Sequence, residues 1–349
     1  MSTQSGLNNS VRSRMAVALL CGVLGLPCLL AGQQPYQVVD RWKLGGEGGW
    51  DYVTVDSSAH RLYVTRGARV DVVDTQTGKV AGSIAGLHGT HGVALDNAGK
   101  FGYISDGGGN AVVVFDRATL ATVATIPVGL GPDAILFEPA TQSVWAFNGH
   151  GKSASVIDAA ERKVIATISL PGTPEFPVAD GKGTVFDNIE DKNEIVRLDA
   201  KTHTLTATWP LPGCDSPSGL AYDGAGGRLF SVCDGKKMDV VDAASGKLLA
   251  SPTIGDGPDA AGWDAAHKLA FASCGEGLLS IVDASAAGYP TAESLPTQRG
   301  ARTMAYDAGT DRVYLVTAEF GPRPAATPEN PRPRAPMVPG TFTVLVVGR

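Results

Sequence analysis

GPDAILFEPATQSVWAFNGHGKSASVIDAAERKVIATI, residues 131–168, holds four short runs in which Val, Ile, Leu, Phe and Trp alternate with smaller or polar residues. Such a period of two marks a pleated strand, because successive side chains point to opposite faces. The runs are 134–139, 143–147, 154–157 and 163–168, with turns at 139–142 and 158–162. No run of ten or more residues in this stretch carries helical spacing. The stretch is predicted to be a four-stranded antiparallel meander.

The same unit recurs in both directions. An acid closes the first strand at Asp56, Asp96, Glu138, Asp180, Asp223, Asp264 and Asp307, positions 40 to 43 residues apart. A second acid closes the third strand at Asp74, Asp116, Asp158, Asp199, Asp242 and Asp283, at spacings of 41 to 43. Two independent anchors on one period of about 40–45 residues, with four strands in each, are the signature of a propeller blade. Seven first-strand acids predict an all-β, seven-bladed β-propeller with four antiparallel strands per blade. The acids have a structural reading: a carboxylate at a strand end accepts the free amides of the next turn. Gly78, Gly99 and Gly246 would supply the left-handed residue that such turns need.

The chain ends complete the count. Residues 35–44 read as a lone fourth strand, and TFTVLVVGR at 341–349 reads as a third strand with no fourth after it. Pairing the two would close the ring and remove its open edges. The propeller is thus expected to span 35–349 as one domain. Residues 321–340, GPRPAATPENPRPRAPMVPG, carry seven prolines. They are expected to form an extended loop inserted in the last blade.

Upstream, Arg12 and Arg14 precede the apolar run MAVALLCGVLGLPCLLA at 15–31. This is the layout of a secretory signal peptide, here 1–32, and the run is short for a membrane span. A periplasmic or secreted protein with no transmembrane span in its mature form is expected. Removing Arg12 and Arg14 from 29 basic residues leaves 27 against 35 acidic ones, a net charge of −8. An acidic propeller is a poor nucleic-acid binder, and a monomer is expected. Cys214, Cys233 and Cys274 remain after cleavage. Cys214 and Cys233 flank one inner hairpin and are candidates for a disulfide, with buried free thiols as the alternative.

The phrases VDVVDTQTGKVAGSI at 70–84, ASVIDAAERKVIATI at 154–168 and MDVVDAASGKLLASPTI at 238–254 resemble those of the YVTN-repeat family of β-propellers. PEFPVADG at 174–181, NIEDKNEIV at 188–196, PSGLA at 217–221 and VTAEFGP at 316–322 look like phrases of its secreted, YncE-like members. The resemblance covers roughly residues 35–349 and implies a fold more than a reaction. Proteins of this architecture include lactonases and the haem d1 domain of a nitrite reductase.

In a propeller the loops after second and fourth strands open on one face. On this chain they are irregular and rich in reactive side chains, the usual place for function. Trp50, Asp51, Arg66, His88, His91, Asn148, His150, Glu175, Asn188, Glu190, Arg302 and Glu319 fall there and are the candidate ligand-binding residues of a central funnel. His91, His150 and Glu190 form the candidate metal set, for a divalent ion with imidazole and carboxylate ligands. Asp133 and Asp259, each in a Gly-Pro-Asp phrase, are read as caps at strand entry. No CxxCH haem-attachment motif and no GxSxG nucleophile elbow is present. The reading is a binding or scaffold propeller whose funnel holds a small molecule, a metal ion or a protein partner. A lactonase-like hydrolase assisted by a metal or by carboxylates is the alternative.

Overall fold

The computed structural model describes residues 34–327, 333 and 335–349. The expected signal peptide lies outside them. The described residues are all-β, and their one helical element is a single 3₁₀ turn at Glu190–Lys192. No helix among them is long and apolar enough to cross a membrane.

Residues 132–169 form the predicted meander. Pro132–Glu138, Ser143–Asn148, Ser153–Asp158 and Lys163–Ser169 pair antiparallel in chain order. The middle strands are buried along nearly their whole length, whereas Lys163–Ser169 is alternately exposed. The difference follows from layering: sheets stacked on both faces cover a middle strand twice, and an outer strand meets water on one side. Trp145, Phe147, Val156 and Val185 thus share one core between neighbouring sheets.

Five sheets have four strands and one has seven. The seven-stranded sheet departs from the expected separate units. It arises because Lys79–Leu95 runs unbroken for 17 residues. Within it Thr90 pairs with Gly67 on one side and with Asp106 on the other, so one strand closes a first meander and opens the next.

Gln37–Lys43 pairs antiparallel with Thr343–Gly348, from Gln37 opposite Gly348 to Lys43 opposite Thr343. The two chain ends therefore build one sheet together with Thr303–Asp307 and Arg312–Thr317. Arg349 reinforces this seam, stacking its guanidinium 4.1 Å from the centre of the Tyr36 ring. The innermost strands lie side by side in chain order, and Thr303–Asp307 lies beside Val53–Asp56.

The periodic acids sit in the turns. Asp74 accepts the Thr77 amide at 2.8 Å, Asp116 that of Thr119 at 2.8 Å and Asp199 that of Thr202 at 2.8 Å. These amides hold all three carboxyls below the ordinary range. Gly78 and Gly246 have φ of 68° and 72°. A β-carbon there would also lie 2.4 Å from Trp42 and 2.1 Å from Trp209, so both turns need glycine for space as well as conformation. A disulfide joins Cys214 to Cys233, and Cys274 is a buried free thiol.

Candidate functional site

Three inner segments bring a carboxylate–imidazole cluster together. Asp51 lies just before Val53–Asp56, His91 near the end of Lys79–Leu95, and Asp133 at the start of Pro132–Glu138. The Tyr52 amide donates to the His91 carbonyl at 3.1 Å and fixes the first two relative to one another. His91 Nδ1 is 2.7 Å from Asp51 Oδ2 and 3.3 Å from Asp133 Oδ1. One nitrogen has one hydrogen to give, and Asp51 takes it. The buried Oδ1 of Asp133 is left without a hydrogen bond. Gly107 makes room for the ring, since a β-carbon there would lie 2.7 Å from His91 Nε2.

More carboxylates surround the cluster. The Tyr52 hydroxyl donates to the Glu175 carbonyl at 3.0 Å, and its ring packs edge-on against Phe176 at 5.3 Å. Asp187, on Thr184–Ile189, is wholly buried, and apart from the Glu175 backbone amide no described group donates to its side-chain oxygens. Among the described residues no Lys or Arg pairs with Asp51, Asp133, Glu175 or Asp187.

The electrostatics follow from that shortage of positive charge. Burial raises Asp133; His91 opposes the rise while Asp51, Asp259 and Glu190 add to it, and the carboxyl reaches about 7. Burial and the charges of Asp133 and Glu190 push Glu175 to about 9. Asp187 is raised well above the carboxylate range by burial and Asp133, with only the Glu175 backbone amide favouring its charged form. Burial pulls His91 down, but the Asp51 hydrogen bond and the Asp133 charge outweigh it, so the imidazolium is favoured. Acids raised to near-neutral values beside a proton-holding histidine can exchange a proton or bind a cation.

Three ligand atoms, one each from Asp51, His91 and Asp133, lie within 4.8 Å of one another. The metal set expected from sequence, His91, His150 and Glu190, does not form such a group among the described residues. His150 is exposed and its ring lies over Gly131, where a β-carbon would be 2.8 Å from Nδ1. Glu190 opens the 3₁₀ turn and donates its amide to the Thr173 carbonyl at 2.9 Å. Among the described residues neither belongs to a group able to hold a metal.

The other candidates divide between structure and surface. Arg66 is buried, stacks 3.7 Å from the Phe342 ring centre, and donates to the Glu47 and Gly48 carbonyls at 2.9 and 3.2 Å. It clamps a loop. Asn148 donates to Ser153 and Ser155 at 3.0 Å each, and Asn188 to the Ser218 carbonyl at 2.6 Å; both are buried. Trp50 packs on Phe342 at 5.2 Å and Phe320 at 6.0 Å. His88 points outward and meets Asp106 at 3.2 Å. Arg302 pairs with Asp259 at 2.8 Å. Glu319 is exposed where the proline-rich loop leaves the sheet, its amide donating to Thr341 at 3.0 Å.

Asp133 and Asp187 are the residues that sequence reasoning missed. The acids of the two Gly-Pro-Asp phrases, read as caps, also meet different cations: Asp133 faces His91 and Asp259 faces Arg302. Asp187 had a signal, a charge inside the apolar run TVFDNI.

No protein-family model matches the chain. It is 30% identical over 152 residues to the uncharacterized protein YncE of Salmonella typhimurium, covering 40% of this chain and 42% of that protein. It is 29% identical over 152 residues to YncE of Salmonella typhi, with the same coverage of each. The chain thus spans 42% of the length of these curated relatives. Among solved structures, Kuenenia stuttgartiensis hydrazine synthase superposes with a TM-score of 0.69 at 16% identity, over 76% of this chain and 92% of that one. The fold is that of a β-propeller protein, with a partial sequence likeness to YncE.

Proposed function

We propose that the chain is a closed seven-bladed propeller that binds a divalent cation at Asp51, His91 and Asp133, and that it works outside the cytoplasm. Splitting the seven-stranded sheet at Thr90 gives two meanders, and the five other sheets bring the number to seven. Closure is supported by the pairing of the chain ends and by the contact of Tyr52 with Phe176, three sheets further on. Side chains so far apart in the blade order meet only across a narrow axis. Export is supported by the Cys214–Cys233 disulfide, since such bonds persist in oxidising compartments.

The observation that carries the cation reading is the half-buried Asp133, whose inner Oδ1 lacks a hydrogen bond, next to the wholly buried and under-bonded Asp187. Buried polar groups are ordinarily satisfied, and buried charge is ordinarily paired. Two carboxylates and one imidazole suit zinc or manganese. A bound ion would supply the positive charge that the surrounding acids lack; Asp51 and Asp133 would hold it through oxygen, and His91 through nitrogen once its proton has left. Glu175 and Asp187 would bias the site electrostatically from behind. Calorimetric titration of metal-stripped protein with zinc and with manganese tests this. One-to-one binding that strengthens from pH 6 to 8, as Asp133 loses its proton, is expected. Absence of binding for both metals across that range would refute it.

A second reading, a hydrolase of the lactonase kind, is favoured by one observation. Asp133 near 7 and Glu175 near 9 are placed for proton transfer at neutral pH. Hydrolysis of simple lactones by the metal-loaded protein, lost on Asp133→Asn, would favour catalysis over plain binding.

A further inference from the structure

The acidic cluster has a basic neighbour. A cavity of about 460 Å³ is lined by Trp50, Phe320 and Met337 and by Arg299, Arg302 and Arg323. Among the described residues no acid lines it, in a chain whose acids outnumber its Lys and Arg by 35 to 29. Like-charged arginines converge on a concavity only against their mutual repulsion. Arg302 is partly answered by Asp259 at 2.8 Å. Among the described residues, no ion pair is found for Arg299 or Arg323.

The walls are built. Arg299 and Arg302 flank a turn in which the Gly300 amide donates to the Gly275 carbonyl at 2.8 Å and the Arg302 amide to the Gly300 carbonyl at 2.9 Å. Gly300 has φ of 83°, and a β-carbon on it would lie 2.5 Å from the Phe320 ring. The glycine therefore lets the aromatic wall close over the turn. Phe320 and Trp50 stand 6.0 Å apart at 49°. The proline-rich loop comes back to the same place: Gly321 donates to the Pro336 carbonyl at 2.8 Å and Val338 to the Glu319 carbonyl at 2.8 Å, which seats Met337 opposite Phe320.

We propose that this cavity is a second binding site, for a small aromatic carboxylate. Its ring would lie against Trp50, Phe320 and Met337. Its carboxylate would face the guanidinium groups, whose planar forks match a carboxylate with paired hydrogen bonds. The volume falls in the range of small-molecule pockets, about 300–1,000 Å³, in which a few polar groups fix a ligand's orientation. Met337 suits a ring of undefined shape because its unbranched thioether adapts. The proposal does not rest on the cation site.

The test uses the full chain, with 2-naphthoate as probe, read by calorimetry and by quenching of tryptophan fluorescence. Saturable one-to-one binding is expected. The uncharged 2-naphthamide is expected to bind at least about tenfold more weakly, since a charge-assisted hydrogen bond contributes roughly 1.5–3 kcal/mol. Equal binding of the amide, or no binding of the naphthoate, overturns the proposal. Inorganic phosphate that binds as tightly as naphthoate overturns the aromatic half of it. Arg299→Gln with Arg323→Gln should weaken naphthoate at least about tenfold by the same arithmetic. Met337→Trp, which fills the cavity without touching charge, should block it and decides the matter if the double variant does not fold. The Asp133→Asn protein should bind naphthoate like the parent whatever its metal affinity, so the two readings fail separately.

Discussion

Two places among the described residues set a histidine beside two aspartates, and they differ in how their charge is answered. At the mouth, His91 lies between Asp51 and Asp133. At the seam of the chain ends, His267 Nδ1 meets Asp264 Oδ2 at 2.6 Å with Asp311 alongside. The seam has what the mouth lacks. Arg349 lies 3.7 Å from Asp264 and 3.8 Å from Asp311, and hydroxyls of Tyr36 and Tyr306 donate to Asp311 at 3.0 and 3.2 Å. Both negative charges there are answered by the protein itself. At the mouth further acids, Glu175 and Asp187, replace the arginine. A donor set alone therefore does not mark a cation site; the balance of charge and hydrogen bonds around it does.

The largest expected effect breaks the seam. Arg349→Ala leaves Asp264, with its side chain 1% exposed, without its arginine and removes the stack on Tyr36. Breaking a buried pair from one side costs about 3–5 kcal/mol, so denaturant unfolding should show a loss near the lower bound. Cation affinity at the mouth should not change. A variant as stable as the parent would mean that the two clusters do not differ as argued.

The matching change at the mouth is Asp133→Asn, with the opposite pattern. It removes a half-buried carboxylate whose inner Oδ1 has no hydrogen bond. Stability at pH 8 should hold or rise. Zinc and manganese affinity should fall by more than the ~10–100-fold that changes behind a metal's ligands produce. Unchanged affinity would remove Asp133 from the ligand set.

A pH titration sharpens the contrast further. Glu175 titrates near 4.5 when unperturbed and near 9 in the fold. Between these values the folded protein keeps a proton that the unfolded chain has lost. The stabilisation is fully present below about 4.5 and disappears as pH rises through about 9. Metal-free protein should therefore lose stability from pH 6 to 9, approaching ~1 kcal/mol per pH unit. Glu175→Gln should flatten that slope. A slope unchanged by the substitution would place the carboxyl in a more solvated setting.

Much of this architecture was legible beforehand. Turn-capping acids recur because a carboxylate must follow each strand by a fixed number of residues, and Asp74, Asp116 and Asp199 act on amides within three positions of themselves. The pairing of Gln37–Lys43 with Thr343–Gly348 was legible too, since an unpaired edge at each chain end is a strong constraint. The continuous Lys79–Leu95 strand was not, because the glycines at 86, 89 and 92 look like a break yet Thr90 bonds to both neighbours. The site was half legible. Spacing put His91, Asp51 and Glu175 on one face, but which of them touch depends on side-chain direction at each strand's entry. Asp133 and Asp259 occupy the same phrase yet meet different neighbours: His91, on the preceding inner strand, in one case and Arg302, just before the following inner strand, in the other.

His88 and His91 give the smallest expected effect and the finest cut. They stand on either side of Gly89, whose φ of 124° breaks the strand's register, and their rings meet different carboxylates, Asp106 and Asp51. The His88 side chain is 72% exposed and meets Asp106, whose Oδ1 already accepts the His88 amide at 2.7 Å. Losing the ring leaves that amide bond in place, so His88→Ala should alter stability by no more than about 0.5 kcal/mol, the usual range for a surface change. Its cation affinity should equal the parent's, whereas His91→Ala should lose binding as Asp133→Asn does. If His88→Ala weakened the ion as much as His91→Ala, binding would follow the general field of the mouth. It would then not depend on the 2.7 Å and 3.3 Å contacts that set His91 apart.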